Sequence, residues 1–442
     1  MVIVDQFAQY IKNQNLVQIQ DKILLAVSGG KDSMLMATLF KMLNYDCIIA
    51  HCNFKLRGEE SDLDEALVRE YAQELKFPVH VKCFETEAYA SENKISIQMA
   101  ARDLRYVWFE ELRTALVCSV TAVAQHKHDH IETVLFNLTR STGLLGMTGI
   151  KPKRAALIRP LLFLSSDLVG QEVVRLEIPY RDDQSNFSSK YARNKIRLEI
   201  IPKFQEIQPD FLEVLGQNII HFQESYDFIQ SYIHDLRGRL FLSQSDYIII
   251  EKSAIEAYIN NSYLIFELFK PYGFQKAVLM DMISVFFQEM GQIFTSPNYE
   301  LLLDREQLIL REIKKLPEIN HQINSSESII VLGAKQFSIA KDTHVDFTLD
   351  SKKSVQIDGE KLIFPLLIRN WQMGDWFIPL GMEGRKKLSD FFIQEKVNRF
   401  EKQTVPILVN GNGEVIWVVG FRLDNRYKIS DYTKKVLTLV YI

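Results

Sequence analysis

The sequence predicts an α/β chain: a doubly wound parallel sheet in an N-terminal domain, then a helical domain, then a small mixed α/β C-terminal domain. Three observations carry that reading. Short apolar runs alternate with amphipathic helical patterns through the first third of the chain. After Pro209, residues recur at helical spacing from Phe211 to about Leu316. Past Pro317 and the polar stretch Asn324-Ser325-Ser326-Glu327-Ser328, short apolar runs return. The expected domains are therefore 1–210, 211–316 and 328–442, and a chain of 442 residues is too long for one compact core.

Taken in order, Val2 to Leu16 reads as a surface helix, and Ile23-Leu24-Leu25-Ala26-Val27 as the first buried strand. Ser28-Gly29-Gly30-Lys31-Asp32-Ser33 then turns the chain into a helix that Asp32 or Ser33 can cap and whose apolar residues run through Leu39, Phe40 and Leu43. Cys47 to Cys52 is a second strand, and a charged helix follows from about Ser61 to Leu75. Val79 to Phe84 is a third strand, Ser96 to Ala115 a long helix, and Val117 to Ala124 a fourth strand. Ligands of such a sheet belong at the carboxyl ends of its strands.

The turn from Ser28 to Ser33 is the strongest chemical signal. Two glycines let the backbone turn and approach a ligand, and their amides with the helix dipole suit an anion such as pyrophosphate. A Walker loop is excluded because Leu25 stands where its first glycine belongs, and no G-x-G-x-x-G is present. What remains, S-G-G-x-D-S, resembles the pyrophosphate loop of the ATP pyrophosphatase families, which adenylate a carbonyl-type oxygen.

Composition narrows the partners. A net charge of -4 argues against a generally polycationic nucleic-acid binder but leaves local basic clusters open. The four cysteines, Cys47, Cys52, Cys83 and Cys118, form no C-x-x-C, so a reduced cytoplasm is the expected setting. No apolar run approaches membrane-spanning length.

Other polar groups fall at strand ends or nearby. Arg102, Asp103 and Arg105 share the long helix, and the fourth strand opens into Gln125-His126-Lys127-His128-Asp129-His130-Ile131-Glu132-Thr133. Alternating histidines can gather a metal, but cysteine partners and the HExxH spacing are both missing. From Phe187 to Lys203 the cations Lys190, Arg193, Lys195, Arg197 and Lys203 face only Glu199, which suits a phosphate-binding stripe as well as a solvated helix face.

With those segments in order, the chain resembles the tRNA(Ile)-lysidine synthetase family over most of its length. The family's H-x-N/D-H-x-L-R-x-x-S segment matches His51 to Ser61, with Phe54 replacing a usual histidine. Its H-x-x-D-D-x-x-E-T turn matches His126 to Thr133, with His128 in place of the first aspartate. Arg140 to Met147, Arg159 to Leu162, Asp182 to Asn186 and Arg193 to Arg197 follow in the family's order, and Arg369 to Phe377 with Gly381 to Phe392 resemble its C-terminal module.

The resemblance implies ATP-dependent ligation of L-lysine to the wobble cytidine of an isoleucine tRNA with a CAU anticodon. Pyrophosphate and AMP leave in turn. It further implies ATP at Ser28, Gly29, Gly30, Lys31, Asp32 and Ser33, with the two serine hydroxyls on the phosphates. Mg2+ falls to Asp32 and Asp129. Because lysine has a pKa of roughly 10.4, its amine needs a base, for which Asp129 and Glu132 both stand open. Arg102 and Arg105 are placed on the adenylate or on tRNA phosphate. Arg193, Lys195 and Arg197, with the distant triplet Arg385, Lys386 and Lys387, are expected on tRNA. Oligomeric state stays open, a homodimer included. Competing readings are a tRNA thiolase, which would need reactive cysteine pairs, an amidotransferase-type synthetase, and a non-catalytic RNA-binding module.

Overall fold

A computed structural model describes residues 2–140, 142–181, 192–288, 290–314, 319–332, 335–342 and 352–441. The expected segment Asp182 to Asn186, together with Ser141, Lys190 and Pro317, lies outside the described residues. The chain divides into two compact units, Met1–Gln230 and Ser231–Ile442.

The first unit is built on strands β1 (Lys22–Ala26), β2 (Asp46–Asn53), β3 (Val79–Cys83), β4 (Val120–Ala122), β5 (Lys153–Arg154) and β6 (Leu157–Ile158), in the order β3-β2-β1-β4-β6-β5. Every pair is parallel except β5 with β6. Side chains of a strand alternate between faces, so Ile23 and Leu25 join one core with Phe7, Leu35 and Phe40, while Leu24 joins another with Ile48, Trp108 and Phe109. Both faces are thus covered by helices: α1 (Ile3–Asn13), α2 (Lys31–Met42), α3 (Glu59–Glu74), α4 (Thr86–Asn93), α5 (Ile97–Ala115), α6 (Lys127–Leu138), α7 (Leu144–Met147) and α8 (Ser166–Arg175). The doubly wound expectation holds. The chain leaves β1 toward β2 on one side and reaches β4 on the other, which makes the end of β1 the switch point where ligands settle.

Two local expectations are corrected. Helix α2 begins at Lys31 with Gly30 as its N-cap, so Asp32 and Ser33 lie inside the first turn instead of capping it. The fourth strand is shorter than its apolar run because Val117 takes a left-handed φ of +54° and stays exposed, ending α5, with Cys118 N–H bonded to Arg113 O. Ser96 does cap α5, accepting from Met99 N–H at 3.2 Å.

Beyond the sheet come α9 (Ala192–Lys195), a five-residue π turn (Ile196–Ile200), α10 (Ile201–Ile207) and the long α11 (Phe211–Leu240). Leu215 and Ile219 of α11 pack with Ile131, Val134 and Leu135 of α6.

The middle region is helical, as expected, but it also carries a sheet that helical spacing does not announce. Strands β7 (Leu242–Gln244), β8 (Tyr247–Glu251), β9 (Gln292–Thr295), β10 (Tyr299–Leu303) and β11 (Gln307–Glu312) form an antiparallel sheet in the order β7-β8-β11-β10-β9. The following residues form the expected small mixed domain. Its principal sheet contains Leu366–Asn370, Pro406–Val409 and Val415–Val418, with the indole of Trp417 fully buried beneath it. Among the described residues, no helix is long and apolar enough to cross a membrane.

Candidate active site

The glycine turn sits at the carboxyl end of β1. Gly29 has φ +92°, so a side chain there would be strained, although its Cβ would meet Asp64 and Val68 only at an ordinary 3.6 Å. Gly30 has φ -79°, which any residue adopts, so glycine is not conformationally required there. The N–H groups of Lys31, Asp32 and Ser33 open α2 and have no carbonyl within the helix to bond. They form the anion-facing end of the turn.

The serine hydroxyls are already engaged. Ser33 Oγ donates to Gly30 O at 2.9 Å and accepts from Ser28 N–H at 3.1 Å, and the two hydroxyls lie 3.2 Å apart. They knit the cradle together while both serines still border the cleft. His51 supports the same turn from β2: its buried Nδ1 lies 2.8 Å from Val27 O, and desolvation lowers its pKa, so the neutral ring donates.

Asp32 is the least satisfied group in the cleft. Its Oδ1 is buried with no hydrogen-bond partner among the described residues, and burial raises its carboxyl pKa against the pull of His126 and Lys31. His126, buried as the N-cap of α6, stands between two carboxylates. Its Nε2 is 3.9 Å from Asp32 Oδ1, and its Nδ1 is 3.4 Å from Asp129 Oδ2. Since Nδ1 accepts from His128 N–H at 3.2 Å, the neutral ring carries its proton on Nε2, toward Asp32. Asp129 Oδ2 accepts from His126 N–H at 2.9 Å in a reciprocal capping box, leaving Oδ1 as its outward oxygen. His126, the first residue of the matched turn but given no role of its own in the sequence reading beyond the metal alternative, borders the cleft. His130 turns away, accepting at Nδ1 from Ile150 N–H at 2.8 Å.

A cleft of about 640 Å³ runs from the turn across the sheet end. Ser28, Gly30, Lys31, Asp32, Ser33, Asp129, Arg102, Arg105, Arg193 and Arg197 all border it. Arg102 lies over the ring of Tyr106 at 5.0 Å and Arg105 over Phe54 at 5.2 Å; neither has a carboxylate partner among the described residues. Phe54, where the resembled family usually has histidine, stacks on Phe84 at 5.5 Å and so provides an aromatic wall for Arg105.

Two assignments change. Glu132 does not border the cleft: it is buried, and its Oε1 accepts from Arg197 Nε at 2.6 Å. Burial raises its pKa while Arg197 pulls the other way, and this oxygen is held by Arg197. The basic stripe also divides. Arg193 and Arg197, four residues apart, face the cleft, whereas Lys195 pairs with Glu199 at 3.8 Å and Lys203 with Glu206 at 2.7 Å. Helical periodicity separates the two sets.

In the second unit Arg385 stacks over Trp376 at 4.0 Å, Lys386 bonds Gln394, and Lys387 is exposed. The triplet therefore presents three differently held cations.

Comparisons with known proteins agree with this arrangement. Residues 2–204 match the PP-loop domain family, 224–313 the TilS substrate binding domain and 366–439 the TilS substrate C-terminal domain. A tRNA(Ile)-lysidine synthase of Parabacteroides distasonis is 38% identical over 98% of this chain and 98% of its own. That of Bacteroides thetaiotaomicron is 34% identical over 97% of each. Among solved structures, the U34-tRNA thiolase NcsA of Methanococcus maripaludis, with its [4Fe-4S] cluster, aligns with 50% of this chain and 80% of its own, at 17% identity and a TM-score of 0.42. With a phosphate cradle at the switch point and full-length relatives above 30% identity, the chain belongs to the tRNA(Ile)-lysidine synthase family.

Proposed function

We propose that this cleft adenylates the wobble cytidine of an isoleucine tRNA bearing a CAU anticodon and then joins L-lysine to that cytidine as AMP leaves. One observation carries the reading. A single cleft joins free helix-opening amides, an unpartnered buried carboxylate oxygen, and two arginines without carboxylate partners among the described residues.

The chemistry follows from the substrate. The cytosine carbonyl oxygen is a poor leaving group, so it attacks the α-phosphate of ATP and the bond to pyrophosphate breaks. The ε-amine of lysine then forms the carbon–nitrogen bond, and AMP leaves with the oxygen. The first turn of α2 receives the departing phosphates, and Arg102 and Arg105 hold anionic oxygens by forked donation. Arg197, held by Glu132, sits 3.8 Å from Asp129 Oδ1 and sharpens that carboxylate's orientation.

Asp32 and Asp129 fit Mg2+, which is held by one or two carboxylates together with substrate phosphates; bound there, it would neutralise phosphate charge. The unpartnered Asp32 Oδ1 is the structural reason for that assignment. Asp129 would hold the ion through its outward Oδ1, the same oxygen that is open to the lysine ammonium. We place the three tasks in residues 1–210 for catalysis, 211–316 for substrate binding and 328–442 for tRNA holding. The four free thiols suit a cytoplasmic setting. Cys52 borders the cleft, but burial pushes its thiol up to about 12, which disfavours thiolase chemistry.

The test is mass analysis of total tRNA after incubation with the protein, ATP and labelled lysine. Label confined to one isoleucine tRNA, with one AMP released per lysine, is expected. Label elsewhere, or AMP release without lysine, would overturn the proposal.

A further inference from the structure

Arg181 lies some 150 positions from the glycine turn in sequence, yet it returns to it. Its backbone N–H donates to Gly29 O at 3.1 Å, and its carbonyl oxygen approaches to 4.0 Å from where a side chain on Gly30 would begin. Arg181 borders the same cleft as the turn. The side chain is held from below: Nε donates to Asp64 Oδ1 at 2.9 Å, and an Nη contacts Glu60. Asp64 is itself buried against Gly29 and also binds Arg57 at 2.7 Å. A guanidinium has five N–H donors, so Arg181 retains donors beyond those spent on Asp64 and Glu60.

We propose that Arg181 is a leaving-group residue, with Asp64 as its positioning residue: tethered over the glycine turn, its guanidinium binds pyrophosphate as the bond to the α-phosphorus breaks. The inference rests on the adenylation reading above. When the cytosine oxygen bonds the α-phosphorus, the electron pair of the broken bond stays on the bridging oxygen of pyrophosphate. A fixed fork of donors stabilises that growing charge more than the charge already spread over ATP. Arginine suits the task because its planar donors match two phosphate oxygens.

The experiment measures binding of inorganic pyrophosphate and of AMP, each with Mg2+, by titration calorimetry on the full chain. It compares wild type, Arg181→Met, Arg181→Lys and Asp64→Asn. Arg181→Met is expected to weaken pyrophosphate about tenfold and leave AMP unchanged, while kcat for adenylation falls more than KM for ATP rises. Arg181→Lys should restore part of the affinity, and Asp64→Asn should give an intermediate loss. Unchanged pyrophosphate binding in folded Arg181→Met or Arg181→Lys would overturn the role. Equal weakening of pyrophosphate and AMP would also overturn it, since it would show a merely structural part. Should the wild type bind pyrophosphate through Arg181 yet add no lysine to tRNA, this site stands and the tRNA reading alone falls.

Discussion

The amide of Ile150 donates to Nδ1 of His130 at 2.8 Å, so this histidine acts as an acceptor that binds the loop after α7 to α6. Burial lowers its pKa from 6.5 to about 4. The unfolded chain therefore binds a proton that the folded chain refuses, and stability is full above pH 6.5 and declines as pH falls toward 4. The loss amounts to roughly 2 to 3 kcal/mol across that window. Denaturant unfolding at several pH values should show it, and His130→Gln, which keeps an acceptor, should flatten the decline. An unaltered pH profile in the variant would refute the assignment.

Asp32→Asn should separate stability from activity. The wild-type carboxyl is buried with an unpartnered oxygen and a raised pKa, so it costs stability as pH rises above the ordinary carboxylate range. Neutralising it should raise stability by about 1 kcal/mol, a usual gain when an active-site group is relieved. AMP formation should be abolished, and Mg2+ with ATP should no longer raise Tm. A folded Asp32→Asn protein that adenylates normally would remove Asp32 from the site.

Gly216→Ala tests how α11 meets α6. A methyl there would lie 2.8 Å from Lys127 Cε, the mobile end of a side chain that pairs with Glu213 at 2.5 Å. The exposed ion pair is worth at most about 1 kcal/mol, and alanine gains about 1 kcal/mol in helix propensity. Stability should therefore be unchanged or slightly higher, as thermal unfolding would show. A loss above about 2 kcal/mol would mean that Lys127 cannot move aside.

For the distant triplet, the expected measurement is the salt dependence of tRNA binding. Each of Arg385→Ala and Lys387→Ala should lower the slope by about 0.7 to 0.9 with ATP affinity unchanged. Lys386, already bonded to Gln394, should contribute less. A triple variant with the wild-type slope would place tRNA elsewhere.

The parallel sheet and the phosphate turn were legible because their signals are local: an apolar run, then glycines, then a helical pattern within a dozen residues. Asp129, Arg102 and Arg105, singled out as members of motifs at strand ends or on the long helix, border one cleft. Arg181 was not, since nothing about a lone arginine after Tyr180 shows that the chain returns to Gly29. The spacing that places Glu132 near the turn cannot reveal that Arg197 binds it. The middle sheet escaped because the Ile248–Ile250 run is as compatible with a buried helix as with a strand, and the partner on its inner side, β11, lies more than fifty residues on.

Asp64 has a consequence for how this family's sequences can diverge. One buried carboxylate serves guanidinium groups from two separate loops, at Arg57 and Arg181. A lineage that replaces Asp64 takes a shared contact from two cations beside the glycine turn at once, while one that loses either arginine keeps a carboxylate only half answered. These three positions should therefore drift together or not at all, and their joint replacement among descendants would record the history of a single ionic knot.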